Sequence, residues 1–205
     1  MHQKGFTLIE LMVGLVIAML CMIMMLMLFK QTTQIGISSA QDAEYDAQIQ
    51  TGILVSQKFI QNAGYGSGKT LDVKTGSYAS NAALYWRLIP NVGTTPITYQ
   101  CQGIAEKVAQ DGNAFMHRLV LIKKTCNAND NWEAGTWADD QVIVAFRSTK
   151  QEPVFSYTLS TGQCTPFGID KNASKGLRQV TINARREHLS GSIKNTICLN
   201  NILDS

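Results

Sequence analysis

Two sets of residues in this 205-residue chain have the types and spacing to do chemistry. Glu10 is the only charge in the run 6–29, which is otherwise almost wholly apolar. A carboxylate in the apolar part of a membrane helix costs about 2.5–3.5 kcal/mol, so it needs a partner once the helix packs among others. Cys101, Cys126, Cys164 and Cys198 form the second set, with Cys21 apart inside the apolar run. Thiols can bind metal or oxidise in pairs. There is no CxxC pair, and His2, His117 and His188 show no ligand spacing, so no metal site is expected. In an oxidising compartment the four thiols make two disulfides. Three connectivities are open. The nearest-neighbour pairing, Cys101–Cys126 and Cys164–Cys198, is the expectation, each loop worth about 3–4 kcal/mol in the chain-entropy picture.

Other residues offer less. No G-x-S-x-G, H-E-x-x-H or phosphate-binding glycine loop occurs, so the chain reads as not an enzyme, and no cofactor is implied. Lys171, Lys175, Arg178, Arg185 and Arg186 form a basic stripe suited to a DNA backbone. Asp170 and Glu187 flank it and no aromatics interleave, so a solvated or salt-bridged face is the simpler reading. The Asn172-Ala173-Ser174 sequon is a chance-level match. The net charge of +3 gives no argument for a polyanionic partner.

The elements that position these residues begin with the apolar run. As a helix, 24 residues reach about 36 Å, enough to cross a hydrocarbon core of about 30 Å. The run is too long for a cleaved secretory signal and lacks a small-x-small site. Leu20 beside Cys21 suits a lipoprotein signal poorly. A retained membrane helix remains. Seven of the eight methionines lie in the first thirty residues and only Met116 lies beyond, so they are membrane packing rather than a cofactor box.

From Lys30 to about Ala63 the helix is expected to continue. Tyr45, Ile49, Ile53, Ser56 and Ile60 recur at helical spacing and Phe59 widens the stripe. Asp42, Glu44, Asp46 and Lys58 face away. Gly36 and Gly52 are blemishes costing about 1 kcal/mol each relative to alanine. Gly64 supplies a left-handed stop. Beyond it the chain reads as β, with strands at 84–89, 96–100, 118–123, 141–147, 154–159, 176–183 and 195–199. Segments 66–83 and 127–140 read as loops, the second holding Trp132 and Trp137. Folding of both indoles back onto the sheet edge is preferred to an exposed contact. The fold class is α+β: one long helix, membrane-spanning then amphipathic, packed on a mainly antiparallel sheet.

Lys4-Gly5-Phe6-Thr7-Leu8-Ile9-Glu10-Leu11 resembles the processing signal of type IV pilins and the related pseudopilins. The resemblance implies that a prepilin peptidase cuts between Gly5 and Phe6 and N-methylates Phe6. It also implies that Glu10 is the assembly glutamate. The new ammonium at Phe6 and a neighbour's Glu10 would neutralise each other in an apolar core. The implied parts are a leader at 1–5, a membrane and assembly helix at 6–29, its amphipathic continuation at 30–65 and a β-rich domain at 66–205. FIQNAGYG at 59–66 and the strand from Asp139 to Arg147 are similar to stretches of the PilW group of minor pilins.

That likeness implies a minor pilin in type IV pilus assembly, supporting twitching motility and adhesion. Its partners are other major and minor pilins, the prepilin peptidase and the inner-membrane assembly platform. Its location is the inner membrane with a periplasmic domain, then the pilus surface. A minor pseudopilin of a type II secretion system shares the signal, and a DNA-uptake or adhesin subunit is a further alternative.

Overall fold

α1 spans Leu8–Ile60 in the computed structural model, which describes residues 7–128, 131–165, 176–187 and 191–202. The chain divides into two units, Met1–Glu44 and Tyr45–Ser205. In the first unit α1 is exposed along its apolar length. Among the described residues α1 is the one helix long and apolar enough to cross a membrane. The Thr32 and Thr33 hydroxyls bond back to the carbonyls of Leu28 (2.9 Å) and Phe29 (2.8 Å), so they need no external partner where the apolar run ends.

In the second unit residues 45–60 of α1 bury Tyr45, Ile49, Gly52, Ile53, Ser56 and Ile60, the stripe read from helical spacing. The regular helix stops at Ile60, short of Ala63. Asn62 N–H bonds Phe59 O (3.1 Å) and Ala63 N–H bonds Ile60 O (2.9 Å), a tightened last turn. Gly64 then takes the left-handed conformation (φ 74°) and its N–H donates to Arg87 O at 2.9 Å. A Cβ on Gly64 would run into Ile202.

Among the described residues eight strands follow a short 3-10 turn at Thr70–Asp72. β1 (Val73–Tyr78), β2 (Asn81–Leu88), β3 (Tyr99–Asp111), β4 (Ala114–Cys126) and β5 (Ala138–Ser148) make an antiparallel sheet in sequence order. β6 (Phe155–Cys164), β7 (Gly176–Arg185) and β8 (Ser192–Cys198) make a second one. Two sheets therefore stand where one was expected. β1 lies inside the segment read as a loop, and β3 runs to Asp111 although only residues near its start were read as strand. Residues 96–98 are not strand.

The main core joins three layers. Tyr45, Ile49 and Ile53 of α1 meet Leu84, Trp86, Ile104, Leu119 and Phe146 of the first sheet and Phe155, Val180, Ile182 and Ile197 of the second. The opposite face of the first sheet carries a smaller core of Ala83, Tyr85, Cys101, Ala105, Val120 and Ile122, roofed by Trp132 and Trp137. Tyr85 stacks on Trp137 with centroids 4.7 Å apart, and Trp132 Nε1–H donates to Leu71 O at 3.1 Å. Both indoles are thus buried on the sheet. Gly52 is a correction of another kind. A Cβ there would lie 2.8 Å from Val144 Cγ1 and 3.4 Å from Leu119 and Phe155, so the glycine is what lets α1 approach β5.

Candidate functional site

The N-terminal turn of α1 holds Glu10, the lone carboxylate of the apolar run. Thr7 precedes the helix and Glu10 is its third residue, the spacing of a capping box. The Thr7 N–H donates to Glu10 Oε2 at 3.0 Å, the Thr7 hydroxyl donates to the same oxygen at 2.9 Å, and the Glu10 N–H reaches Thr7 Oγ1 at 3.4 Å. The carboxylate is therefore held by its own first turn, in a helix whose apolar side chains from Leu8 to Phe29 are all open. Such a surface must be covered by lipid or by other chains. Gly5 and Phe6, the expected cut site, lie outside the described residues.

Residues 1–26 match a family model described as the prokaryotic N-terminal methylation motif. The N-terminus is of the type IV pilin or pseudopilin type. No curated protein and no solved structure matches the chain. The pilin motif belongs with a structural, non-enzymatic protein, and it implies dealings with a prepilin peptidase and with other pilins. Together with α1 it fits a pilin anchored in the inner membrane.

The other residues singled out in the sequence fall as follows. Cys101 is bonded to Cys126 (Cα–Cα 5.8 Å), across β3 and β4, and Cys164 to Cys198 (5.7 Å), within the second sheet. Cys21 is free and exposed on α1. Two of the basic residues are spent inside the molecule. Arg185 pairs with Glu152 and also donates to its carbonyl at 3.0 Å, and Arg186 pairs with Asp46 at 3.1 Å. Asp46, expected to face away, is thus engaged. Glu187 accepts the Thr149 N–H and hydroxyl, both at 2.6 Å. Lys171, Lys175, Asp170 and the sequon at 172–174 lie outside the described residues.

Sequence reasoning missed two buried charged clusters. Glu106 on β3 and His117 on β4 are fully buried, with His117 Nδ1 2.5 Å from Glu106 Oε1. His117 Nε2 lies 2.8 Å from Lys150 O, and a carbonyl only accepts, so Nε2 carries a hydrogen. Glu106 Oε2 accepts the N–H groups of Val154 and Phe155, each at 2.8 Å. The cluster therefore ties the first sheet to the chain that enters the second. Burial, with Glu106 nearby, pushes the Tyr157 hydroxyl pKa well up.

The second cluster is Asp72 with Arg87. Arg87 Nη2 is 2.5 Å and Nε 2.8 Å from Asp72 Oδ1, and Nη1 donates to Asn127 O at 3.0 Å. The guanidinium also lies over Tyr99 (4.9 Å) and Trp132 (5.6 Å). Burial pushes the Asp72 carboxyl up and Arg87 pulls it back. The one signal in the sequence was a polar residue on an otherwise apolar strand face, and for Glu106 the strand itself had not been recognised.

Proposed function

We propose that this chain is a minor pilin of a type IV pilus, of the PilW group, that primes or joins assembly through its N-terminal helix. The prepilin peptidase cuts between Gly5 and Phe6 and methylates Phe6. The exposed apolar helix leaves the membrane to pack among neighbouring pilin helices, and a neighbour's Phe6 ammonium comes to Glu10. The domain at 66–205 stays in the periplasm and then on the fibre. The observation that carries this reading is an apolar helical run, open from Leu8 to Phe29, whose single carboxylate, Glu10, is bonded among the described residues to Thr7. Local bonds to Thr7 lower the cost of the carboxylate while the subunit waits in lipid, but they supply no opposite charge.

Two experiments test it. Deletion of the gene should abolish sheared surface pili while the major pilin remains in the inner membrane. Normal pili with failed protein secretion would instead make the chain a minor pseudopilin. At the residue level, Glu10→Ala and Glu10→Gln should both be processed and both assemble poorly, because neither can neutralise an ammonium. Normal incorporation of Glu10→Gln into sheared pili would show that hydrogen bonding, not charge pairing, is what the position supplies.

A further inference from the structure

Where α1 ends, a groove of about 300 Å³ opens against the first sheet. Phe59, Asn62 and Tyr65 form one wall, and Leu88, Gln100 and Gln102 the other. We propose that this groove is a binding site for a neutral saccharide.

The lining argues for that class. Among the described residues it holds no charged side chain, so neither a phosphate nor a carboxylate has a counter-ion there. Three of the six residues are primary amides, each presenting a donor and an acceptor side by side, which suits neighbouring hydroxyls on a sugar ring. Gln102 gives its oxygen to Trp86 Nε1–H at 3.2 Å, leaving its NH₂ group as a donor. Tyr65 is half exposed, and the backbone on which its ring stands is fixed on both sides. Its N–H bonds Asn62 O at 3.1 Å and its carbonyl accepts the Ile89 N–H at 2.8 Å. An aromatic ring so held offers a flat apolar face to the C–H side of a pyranose.

The position in the sheet excludes another occupant. Leu88 is on β2 and Gln100 and Gln102 are on β3, both interior strands of the order β1-β2-β3-β4-β5. Among the described residues no open strand edge lines the groove, so an extended peptide is not held there by strand addition. Recognition must come from side chains. The volume is at the low end of small-molecule sites, the size for a single sugar or the end of a glycan chain. This site does not rest on the assembly role.

The test uses the full chain in detergent micelles on an array of neutral glycans ending in hexoses or N-acetylhexosamines, with sialylated and sulfated counterparts. Binding to neutral termini is expected. Tyr65→Ala and Gln100→Ala should each weaken it about ten-fold or more, while Tyr65→Phe and the distant Val142→Ala leave it unchanged. Thermal melting of each variant separates lost folding from lost binding, and the partly exposed Gln100 keeps the test open if Tyr65→Ala unfolds. A blank array, binding only to charged glycans, or binding indifferent to both alanine variants would each overturn the proposal. A photo-crosslinker at position 65 that captures a pilin subunit while the array is blank would assign the groove to a protein contact instead.

Discussion

Glu106 is the residue on which the second unit turns, because its two oxygens serve three partners from other segments. Replacing it with leucine keeps bulk but leaves the Val154 and Phe155 N–H groups buried without acceptors. That should cost about 3–5 kcal/mol, a fall in Tm of about 6–20 °C for a domain of this size. Glu106→Gln keeps an oxygen for both N–H groups and can offer its NH₂ to His117, so it should cost about 1 kcal/mol or less. Equal losses in the two variants, measured by thermal melting, would mean that charge rather than acceptor geometry holds the cluster. Asp139 makes a prediction about pH. The Lys107 ammonium at 2.5 Å, and after it the Tyr78 hydroxyl at 2.9 Å, hold its carboxyl below the usual range. The same carboxylate raises Lys107. A depressed carboxyl contributes stability that is complete above its unfolded value of about 3.9 and is lost as pH falls through its folded value. A raised ammonium contributes below about 10.4 and its share is lost as pH rises past its folded value. Asp139→Asn should therefore flatten both the acid and the alkaline limbs of a stability–pH curve, modestly, because the pair is solvated.

Gly52 shows how an element is shaped by what it packs against. Helix propensity alone says that alanine should improve α1 by about 1 kcal/mol. The space says otherwise, since the added methyl would sit 2.8 Å from Val144 Cγ1. Gly52→Ala should destabilise the domain by about 1–3 kcal/mol, and adding Val144→Ala should recover part of that in a chemical denaturation experiment. A stabilising Gly52→Ala would mean that the helix and β5 can move apart freely. The glycine had the look of a defect because periodicity reports which face is buried, not how closely. Helix and strand periods made α1, the face it buries and most strands of the two sheets readable. What they hid has local causes. β1 ends in a two-residue turn at Ala79 and Ser80, both left-handed (φ 48° and 69°), without the glycine or asparagine that marks such turns, and Gly76 interrupts its side-chain pattern. β3 carries small residues at Cys101, Gly103 and Ala105 because Tyr85 and the tryptophan roof occupy that space, and it carries Glu106 on its other face. A strand of small and charged residues does not look like one. At the N-terminus the motif was legible because a lone carboxylate in an apolar run is costly, while Thr7 as its local partner became visible only in the geometry.

At the scale of the molecule the two disulfides divide the labour between the sheets. In the first bond Cys101 is wholly buried and Cys126 partly open, whereas Cys164 and Cys198 are both partly open. Mild reduction of the folded protein, followed by alkylation and mass spectrometry, should label Cys164 and Cys198 before Cys101 and Cys126. The reverse order, or simultaneous labelling, would mean that the first sheet opens as readily as the second. Each bond closes its loop inside one sheet, with sequence separations of 25 and 34, and neither joins the sheets. Under mechanical load this arrangement sets how far the chain can lengthen. A subunit pulled by its ends would keep about 85 Å and about 115 Å of contour locked away, whereas the segment between the two loops, bonded to His117 and Glu106 at Lys150, Val154 and Phe155, is closed by neither bond and pays out once that cluster yields.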